Sequence, residues 1–244
     1  MQSPWYATWF NTVFYHDLYQ HRDENEARGF IKELCERLEV KEGEYALDMA
    51  CGRGRHAKVL SEQGLDVLGV DLSPESIDYA RQFEHDDLKF NTGNMLEPLP
   101  FGPFDWVFNL FTSFGYFETD QQHQLAIDNM ANALAPGGKL VLDYMNSEKI
   151  AANLVPSDEV QTDFAHYSIS RDLEDGKIIK RIRVHKDCEI QYFEERVRAF
   201  TASELEHFMT NAGLEIVRVN GDYDLREFEP TESNRLIIVA QKPV

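Results

Sequence analysis

Residues 45–57 of this chain read YALDMACGRGRHA, and this stretch decides the fold. An apolar run ends at Asp48, and glycine then alternates with arginine from Gly52 to Arg55 before a helical pattern begins. Glycines at such a turn allow positive φ angles and let a ligand approach without a Cβ in the way. The stretch therefore predicts a strand, a tight turn and a helix whose free N–H groups face a ligand.

A second acidic residue lies at the spacing that a nucleoside site requires. Asp71 ends the next apolar run, at residues 67–70, and comes nineteen positions after Gly52. A carboxylate at this spacing, at the tip of the neighbouring strand, suits the two hydroxyls of a ribose. We therefore predict a nucleoside-containing ligand at the edge of a parallel sheet.

The remaining pattern predicts an α/β fold, because strands and helices alternate up to residue 144. We predict helices at residues 24–38, 55–63, 74–83, 120–134 and 201–213. We predict main-sheet strands at residues 45–48, 66–70, 88–91, 104–110, 139–144, 214–219 and 235–240. The last two strands have no helix-length segment between them, so they should pair antiparallel. The expected fold is a doubly wound, mostly parallel seven-stranded sheet with an antiparallel last strand.

A small antiparallel β-subdomain is expected as an insertion. Residues 160–200 alternate with period two, and Asp175-Gly176 is a hairpin signal, which together predict two or three antiparallel strands that could cover the crevice. We expect residues 1–154 to carry an N-terminal lid and the cofactor-binding part of the main domain. Residues 155–200 would then form the inserted sheet, and residues 201–244 would complete the main sheet.

Composition favours a small-molecule partner. The net charge is −19, from 43 acidic and 24 basic residues, which disfavours nucleic acid and anionic membranes. No apolar stretch approaches the ~20 residues of a membrane span. The three cysteines form no CxxC pair, so we expect no metal and free thiols in a reducing cytoplasm. The N-terminus lacks signal-peptide features, and a monomer and a homodimer are both compatible with the sequence.

The N-terminal residues 5–22 are rich in aromatic side chains. One interpretation, which we favour, is a helix that packs its aromatic face on the main domain. The other is a lid over the ligand that offers hydroxyls and a stacking face. Both hold if the helix packs by its aliphatic side.

Parallel sheets bind ligands outside the carboxyl ends of their strands. Polar or glycine residues fall at five of the predicted ends, and they are Gly52, Asp71, Asn94, Asn109 and Tyr144. We therefore expect these five residues to converge on one crevice.

The motifs LDMACGRGRHA, GVDLSPESIDYA and LAPGGKLVLDY resemble those of the class I S-adenosylmethionine-dependent methyltransferases. The segment NLFTSFGYF resembles a small-molecule subgroup that has an N-terminal lid and an inserted β-sheet. The resemblance covers residues 25–150 strongly and the remainder loosely. It implies methyl transfer from S-adenosylmethionine to an unidentified small-molecule acceptor by in-line displacement.

The resemblance also implies roles for individual residues. Asp48 and the turn backbone would hold the methionine portion, Asp71 the ribose, and Phe111 would line the sulfonium end. Asn94 stands where the family commonly has an acid, but its amide oxygen still accepts from the adenine amino group. The implied cofactor-binding residues are Asp48, Ala50, Cys51, Gly52, Gly54, Asp71, Leu72, Asn94, Met95, Asn109, Phe111, Tyr15 and Arg22. The pocket-lining candidates are Tyr116, Tyr144 and Asn146.

Two alternatives remain open at this point. The spacing of Gly52, Gly54 and Ala57 also fits the loose dinucleotide pattern of an NAD-dependent oxidoreductase. A non-catalytic S-adenosylmethionine-binding protein would have the same motifs. Asp48 and Asp71 speak against a dinucleotide, because two carboxylates repel a pyrophosphate and suit an amine and a diol.

A general base is needed only for a protonated acceptor, and the candidates are Tyr116, Tyr144, His16 and His166.

Overall fold

The computed structural model describes residues 4–20 and 24–244. Its main sheet consists of β1 (Tyr45–Met49), β2 (Asp66–Asp71), β3 (Leu88–Thr92), β4 (Phe104–Asn109), β5 (Leu134–Met145), β10 (Glu215–Asn220) and β11 (Arg235–Gln241). The strand order is β10-β11-β5-β4-β1-β2-β3. β1 to β5 pair in parallel, and β11 is antiparallel to both β10 and β5. The predicted seven-stranded, mostly parallel sheet is confirmed.

Helices cover both faces of this sheet. They are α3 (Glu24–Leu38), α4 (Arg55–Glu62), α5 (Pro74–Ala80), α6 (Asp120–Ala133) and α8 (Ala202–Asn211). Their starts follow the capping residues in the sequence, since the side chains of Ser73, Thr119 and Thr201 each accept a backbone N–H of the first turn. The central strands are buried on both faces, with Ile31 and Leu34 in the core on one side and Ile127 and Met130 on the other.

The inserted sheet has four strands instead of two or three. They are β6 (Ser157–Gln161), β7 (His166–Glu174), β8 (Lys177–Lys186) and β9 (Glu189–Arg198), paired antiparallel in chain order. The Asp175-Gly176 hairpin is confirmed, with both residues at positive φ. β6 has the sequence SDEVQ and is almost fully exposed, so it lacks the apolar alternation that reveals a half-buried strand.

The N-terminal segment forms two short helices, α1 (Trp5–Trp9) and α2 (Val13–Leu18). They separate at Thr12, whose hydroxyl donates to the Trp9 carbonyl and accepts the Tyr15 N–H. Their aromatic residues pack mainly on the inserted sheet, and the rings of Trp9 and Phe193 have centroids 4.6 Å apart. The expectation that this face packs on the main domain holds only in part, for Trp5, Tyr6 and Phe10, whose rings contact Tyr116.

A further short helix, α7 (Ser147–Ala152), was not predicted and follows β5 directly. Six residues are too few to show a helical period in sequence. None of the helices within residues 4–20 and 24–244 has both the length and the apolar character needed to cross a membrane.

Candidate active site

A cavity of about 680 Å³ lies at the carboxyl ends of β1, β2 and β4. α1 and α2 close it on the side away from the sheet. Ten of the predicted site residues line it, and they are Tyr15, Ala50, Cys51, Gly52, Asp71, Leu72, Asn94, Met95, Phe111 and Tyr116. Arg22 lies outside the described residues.

The turn after β1 is fastened to β2 by its own backbone. The N–H groups of Ala50 and Cys51 donate to the Val70 carbonyl at 2.7 and 3.1 Å. Ala50 itself has a φ of 64°, a conformation that residues with a Cβ seldom adopt. The glycine turn is therefore a bend held open beside the cavity by the neighbouring strand.

Asp71 joins this turn to the next helix. One carboxylate oxygen accepts the N–H of Gly52 at 2.8 Å, and the other accepts the N–H of Ser73 at 2.8 Å. Burial raises the pKa of Asp71, and the two N–H groups counteract that rise. Each oxygen retains a further lone pair, so a carboxylate fixed from behind still faces the cavity as an acceptor.

Gly52 and Gly54 differ in what a side chain would meet. A Cβ on Gly52 (φ +55°) would have nothing within 4 Å, so it would enter open space at the cavity. A Cβ on Gly54 (φ +81°) would lie 2.6 Å from the Phe90 ring, and the Gly54 N–H already donates to the Cys51 carbonyl. Gly54 is thus needed for packing under the turn and does not line the cavity.

Asp48 lies behind the turn, with only 1% of its surface exposed. It accepts a backbone N–H from Ala57, whereas its Oδ2 has no hydrogen-bond partner among the described residues. Burial raises its pKa to about 7, with a smaller upward contribution from Asp71. The carboxylate does not line the cavity, but it supplies an unsatisfied buried oxygen close to it.

Besides Asp48 and Gly54, three further predicted site residues do not line the cavity. Asn109 is fully buried and donates to the Met49 carbonyl at 3.0 Å. Tyr144 is fully buried too, and its hydroxyl donates to the Arg198 carbonyl. Asn146 caps α7 and donates to carbonyls of the chain just before β11. The expectation that Asn109 and Tyr144 converge on the crevice is therefore wrong, as is that of Asn146 as a pocket-lining residue.

Aromatic side chains form the opposite wall. The Tyr116 ring has its centroid 5.2 Å from that of Trp5, 6.1 Å from Tyr6 and 5.5 Å from Phe10. Sequence reasoning indicated a stacking face here but did not identify Tyr6 or Phe10 as lining residues. The sequence indicated these two residues only through the aromatic content of residues 5–22, which does not show the direction in which each ring points.

His16 is the other notable group on this wall. Its Nε2 is buried without a hydrogen-bond partner among the described residues. Burial and, to a lesser extent, the nearby Arg53 lower its pKa to about 4. The imidazole is therefore neutral at pH 7. His166, by contrast, lies on the inserted sheet, where its Nε2 is 2.6 Å from the Glu159 carboxylate.

The N-terminal segment also contacts the rim of the cavity beside Asp71. The Ser73 hydroxyl donates to the Asn11 side-chain oxygen, and Ser73 is the residue that caps α5 beside Asp71. Nothing in the sequence connects two residues that are 62 positions apart.

Known proteins show the same fold and family. A family model described as a methyltransferase domain matches residues 19–219. The putative methyltransferase YqeM of Bacillus subtilis is 30% identical over 207 residues, which cover 80% of this chain and 83% of that protein. An S-adenosylmethionine-dependent methyltransferase from Clostridium acetobutylicum has the same fold, with a TM-score of 0.79 at 20% identity and coverage of 95% and 97%.

A third relative is named for its acceptor. It is the dTDP-3-amino-3,4,6-trideoxy-alpha-D-glucopyranose N,N-dimethyltransferase of Streptomyces venezuelae, 27% identical over 194 residues, covering 76% of this chain and 81% of that protein. Together with the family match over most of the chain, the glycine turn and the acid on β2 lead to one conclusion. The chain belongs to the class I S-adenosylmethionine-dependent methyltransferases.

Proposed function

We propose that S-adenosylmethionine lies along the glycine turn and Asp71, and that a small-molecule acceptor meets it from the side of α1 and α2. The observation that carries the proposal is the Asp71 carboxylate, which is fixed by two backbone N–H groups and lines the cavity. A carboxylate only accepts hydrogen bonds, and one held rigidly in this way matches a diol, which offers two O–H donors.

The other groups around the turn fit the methionine portion. The N–H groups of Ala50, Cys51 and Gly52 already have partners within the protein. The turn is therefore left to offer carbonyl oxygens, which suit an ammonium. A cation bound on this side would favour the charged form of the buried Asp48, and the unsatisfied Asp48 oxygen is a further reason to expect such a cation nearby.

When bound, S-adenosylmethionine supplies a methyl group that is already activated. The protein then has to align the acceptor and exclude water, which are effects of geometry. Phe111 on one wall and Tyr6, Phe10 and Tyr116 on the other enclose the cavity with apolar surface. We assign His16 the role of accepting a hydrogen bond from the methyl acceptor, because its neutral ring lines the cavity and its Nε2 has no partner among the described residues.

We further propose an amine as the acceptor group. One relative is named as an N,N-dimethyltransferase of an amino sugar, which supports a nitrogen nucleophile on a small ring. Aromatic walls also suit the apolar face of a sugar ring. The net charge of −19 supports a small acceptor over nucleic acid.

The two alternatives from sequence are less well supported. An NAD-dependent oxidoreductase does not account for the family match, and a pyrophosphate beside Asp48 and Asp71 would be repelled. A non-catalytic binder needs no open acceptor side, whereas the cavity extends from the turn to Tyr6 and Tyr116.

Calorimetry with S-adenosylhomocysteine and with NAD tests the cofactor assignment. We expect micromolar binding of the first, about −8 kcal/mol, and none of the second. Asp71→Ala should cost roughly 2 kcal/mol or more, because hydrogen bonds to a charged group are lost. Asp66→Ala removes the same charge from the exposed start of the same strand and should bind normally. Unchanged affinity in the Asp71 variant would refute the ribose assignment.

A further inference from the structure

The loop after β4 has an unusual backbone. Phe111 and Thr112 are consecutive residues with φ angles of 63° and 61°, and neither is glycine. A side chain with a Cβ is disfavoured in this region, and a β-branched residue such as Thr112 is a genuine outlier there. Surrounding contacts must therefore impose this conformation on both residues.

The backbone N–H groups of Phe111 and Thr112 both donate to one residue of β5. The Phe111 N–H donates to Oδ2 of Asp143 at 2.9 Å, and the Thr112 N–H donates to the Asp143 carbonyl at 2.9 Å. The Tyr116 hydroxyl donates to the Thr112 carbonyl from the other side. The loop is thus fixed at three backbone groups.

Arg235 on β11 fixes Asp143 in turn. Its Nε donates to Oδ1 of Asp143 at 2.8 Å, and its terminal nitrogen donates to the Thr112 hydroxyl at 3.0 Å. The Asp143 side chain is 0% exposed and that of Arg235 is 18% exposed. β5 and β11 are neighbours in the main sheet, so the ion pair is built on two rigid strands.

The conformation of this loop decides where the Phe111 ring lies. The Arg55 guanidinium lies 4.6 Å from the centroid of that ring, and the Tyr223 ring stacks against it at 6.5 Å. The Phe111 ring also lines the cavity. A loop with ordinary negative φ angles would point the ring elsewhere.

We propose that Asp143 and Arg235 are positioning residues for methyl transfer, which set the Phe111 ring beside the transferred methyl group. The inference rests on the proposed function and on the position of the sulfonium end beside Phe111 that the family resemblance implies. A buried ion pair is a weak source of stability compared with apolar packing, and glycine would adopt these φ angles without strain. Positioning of the ring explains why a buried ion pair is present where apolar residues would be at least as stable. It also explains why Phe111 and Thr112 occupy positions whose φ angles glycine would adopt without strain.

The test follows the methyl resonance of S-adenosylmethionine labelled with ¹³C at the methyl group, bound to the full chain. An adjacent aromatic ring displaces that resonance from its value in free cofactor, and Phe111→Leu removes the ring and gives the reference for its absence. Asp143→Asn retains the shape but loses one acceptor. Thr112→Gly and Thr112→Ala remove the same hydroxyl, but only glycine relieves the backbone strain.

In Asp143→Asn we expect the difference in methyl chemical shift between bound and free cofactor to decrease towards the value in Phe111→Leu. The affinity for the cofactor should change by no more than about tenfold. Thr112→Gly should restore the displacement in the Asp143→Asn background, and Thr112→Ala should not. If Asp143→Asn does not fold, Arg235→Lys replaces it, since lysine keeps the charge and loses the fork geometry.

A parent-like resonance in folded Asp143→Asn or Arg235→Lys would overturn the inference, as would equal behaviour of the glycine and alanine variants. If Phe111→Leu leaves the resonance of the bound methyl group unchanged, the ring is not beside it and the inference also fails. If labelled cofactor does not bind the parent chain, the proposed function fails first, and that outcome is visible before any variant is compared.

Discussion

The indole Nε1 of Trp9 donates a hydrogen bond of 2.7 Å to Oε1 of Glu195, across 186 positions of sequence. The Tyr19 hydroxyl donates to the same carboxylate at 2.8 Å, and the Lys180 ammonium is 4.0 Å away. One half-buried carboxylate on β9 thus binds the last residue of α1 and the residue that follows α2. The inserted sheet thereby holds the N-terminal segment, which covers the cavity, although no residue of β6 to β9 lines it.

Replacing Glu195 with alanine should loosen this cover. The Trp9 indole and the Tyr19 hydroxyl would lose their acceptor, and Lys180 would lose its counter-charge, so we expect a loss of about 2 kcal/mol in unfolding free energy. Urea unfolding followed by tryptophan fluorescence measures it. The matched control is Glu189→Ala, which removes an exposed carboxylate at the start of the same strand. Equal stabilities of the two variants would show that the carboxylate does not hold the cover.

Alanine substitutions at the two glycines of the turn should have different effects, one on packing and the other on ligand binding. Gly54→Ala places a Cβ against Phe90 at a positive φ and should cost about 3 kcal/mol of stability or more. Gly52→Ala meets no protein atom, so the strained φ alone should cost about 1–2 kcal/mol. Its methyl group enters the cavity, and S-adenosylhomocysteine should bind it more weakly in calorimetry. The prediction is wrong if Gly52→Ala binds like the parent or if Gly54→Ala is the more stable variant.

Asp48→Asn should stabilise the ligand-free protein at alkaline pH. The folded pKa of Asp48 is about 7, raised from 3.8 by burial, so its contribution to stability is lost as pH rises through 7. Asparagine keeps an acceptor for the Ala57 N–H and has no charge. At pH 8 we expect a higher unfolding temperature for the variant in thermal unfolding, corresponding to up to about 4 kcal/mol of unfolding free energy, and the gain should vanish near pH 4. A gain that is the same at both pH values would contradict this account.

His123 should contribute to acid sensitivity with the opposite sign. Burial lowers its pKa from 6.5 to about 4, so its contribution is present above pH 6.5 and is lost as pH falls through 4. His123→Gln keeps an acceptor for the Phe117 N–H, which donates to the ring at 3.3 Å. Between pH 7 and pH 4.5 the variant should lose roughly 2 kcal/mol less than the parent in urea unfolding. His207→Gln, at an exposed position on α8, is the control and should lose as much as the parent.

The main sheet was predictable because its information is local. The glycine turn, the serine and threonine caps and the apolar runs each specify a neighbouring element, and the parallel pairing of β1 to β5 follows from the alternation of strands and helices. β6 and α7 were missed for the same reason. A five-residue exposed strand and a six-residue helix carry no periodic apolar pattern, and only their neighbours in space stabilise them.

The cavity was predictable only in part. Gly52, Asp71 and Asn94 reach it, whereas Tyr144 is turned into the core. Side chains along a strand point to alternate faces, so a position near a strand end does not show which side its residue faces. The acceptor of the Tyr144 hydroxyl is 54 positions away, at Arg198, and no local pattern contains that distance.

Arg198 also connects the inserted sheet to the wall of the cavity. The Arg198 N–H donates to the Gly115 carbonyl at 2.8 Å, so the last inserted strand ends on the loop that carries Tyr116. Changes in residues 155–200 therefore affect the wall of the cavity at Tyr116, while the turn at Gly52 and the acid at Asp71 belong to different strands. With the cofactor and the methyl acceptor placed as proposed, variation in the insertion alters the choice of acceptor and leaves the binding of the methyl donor unchanged.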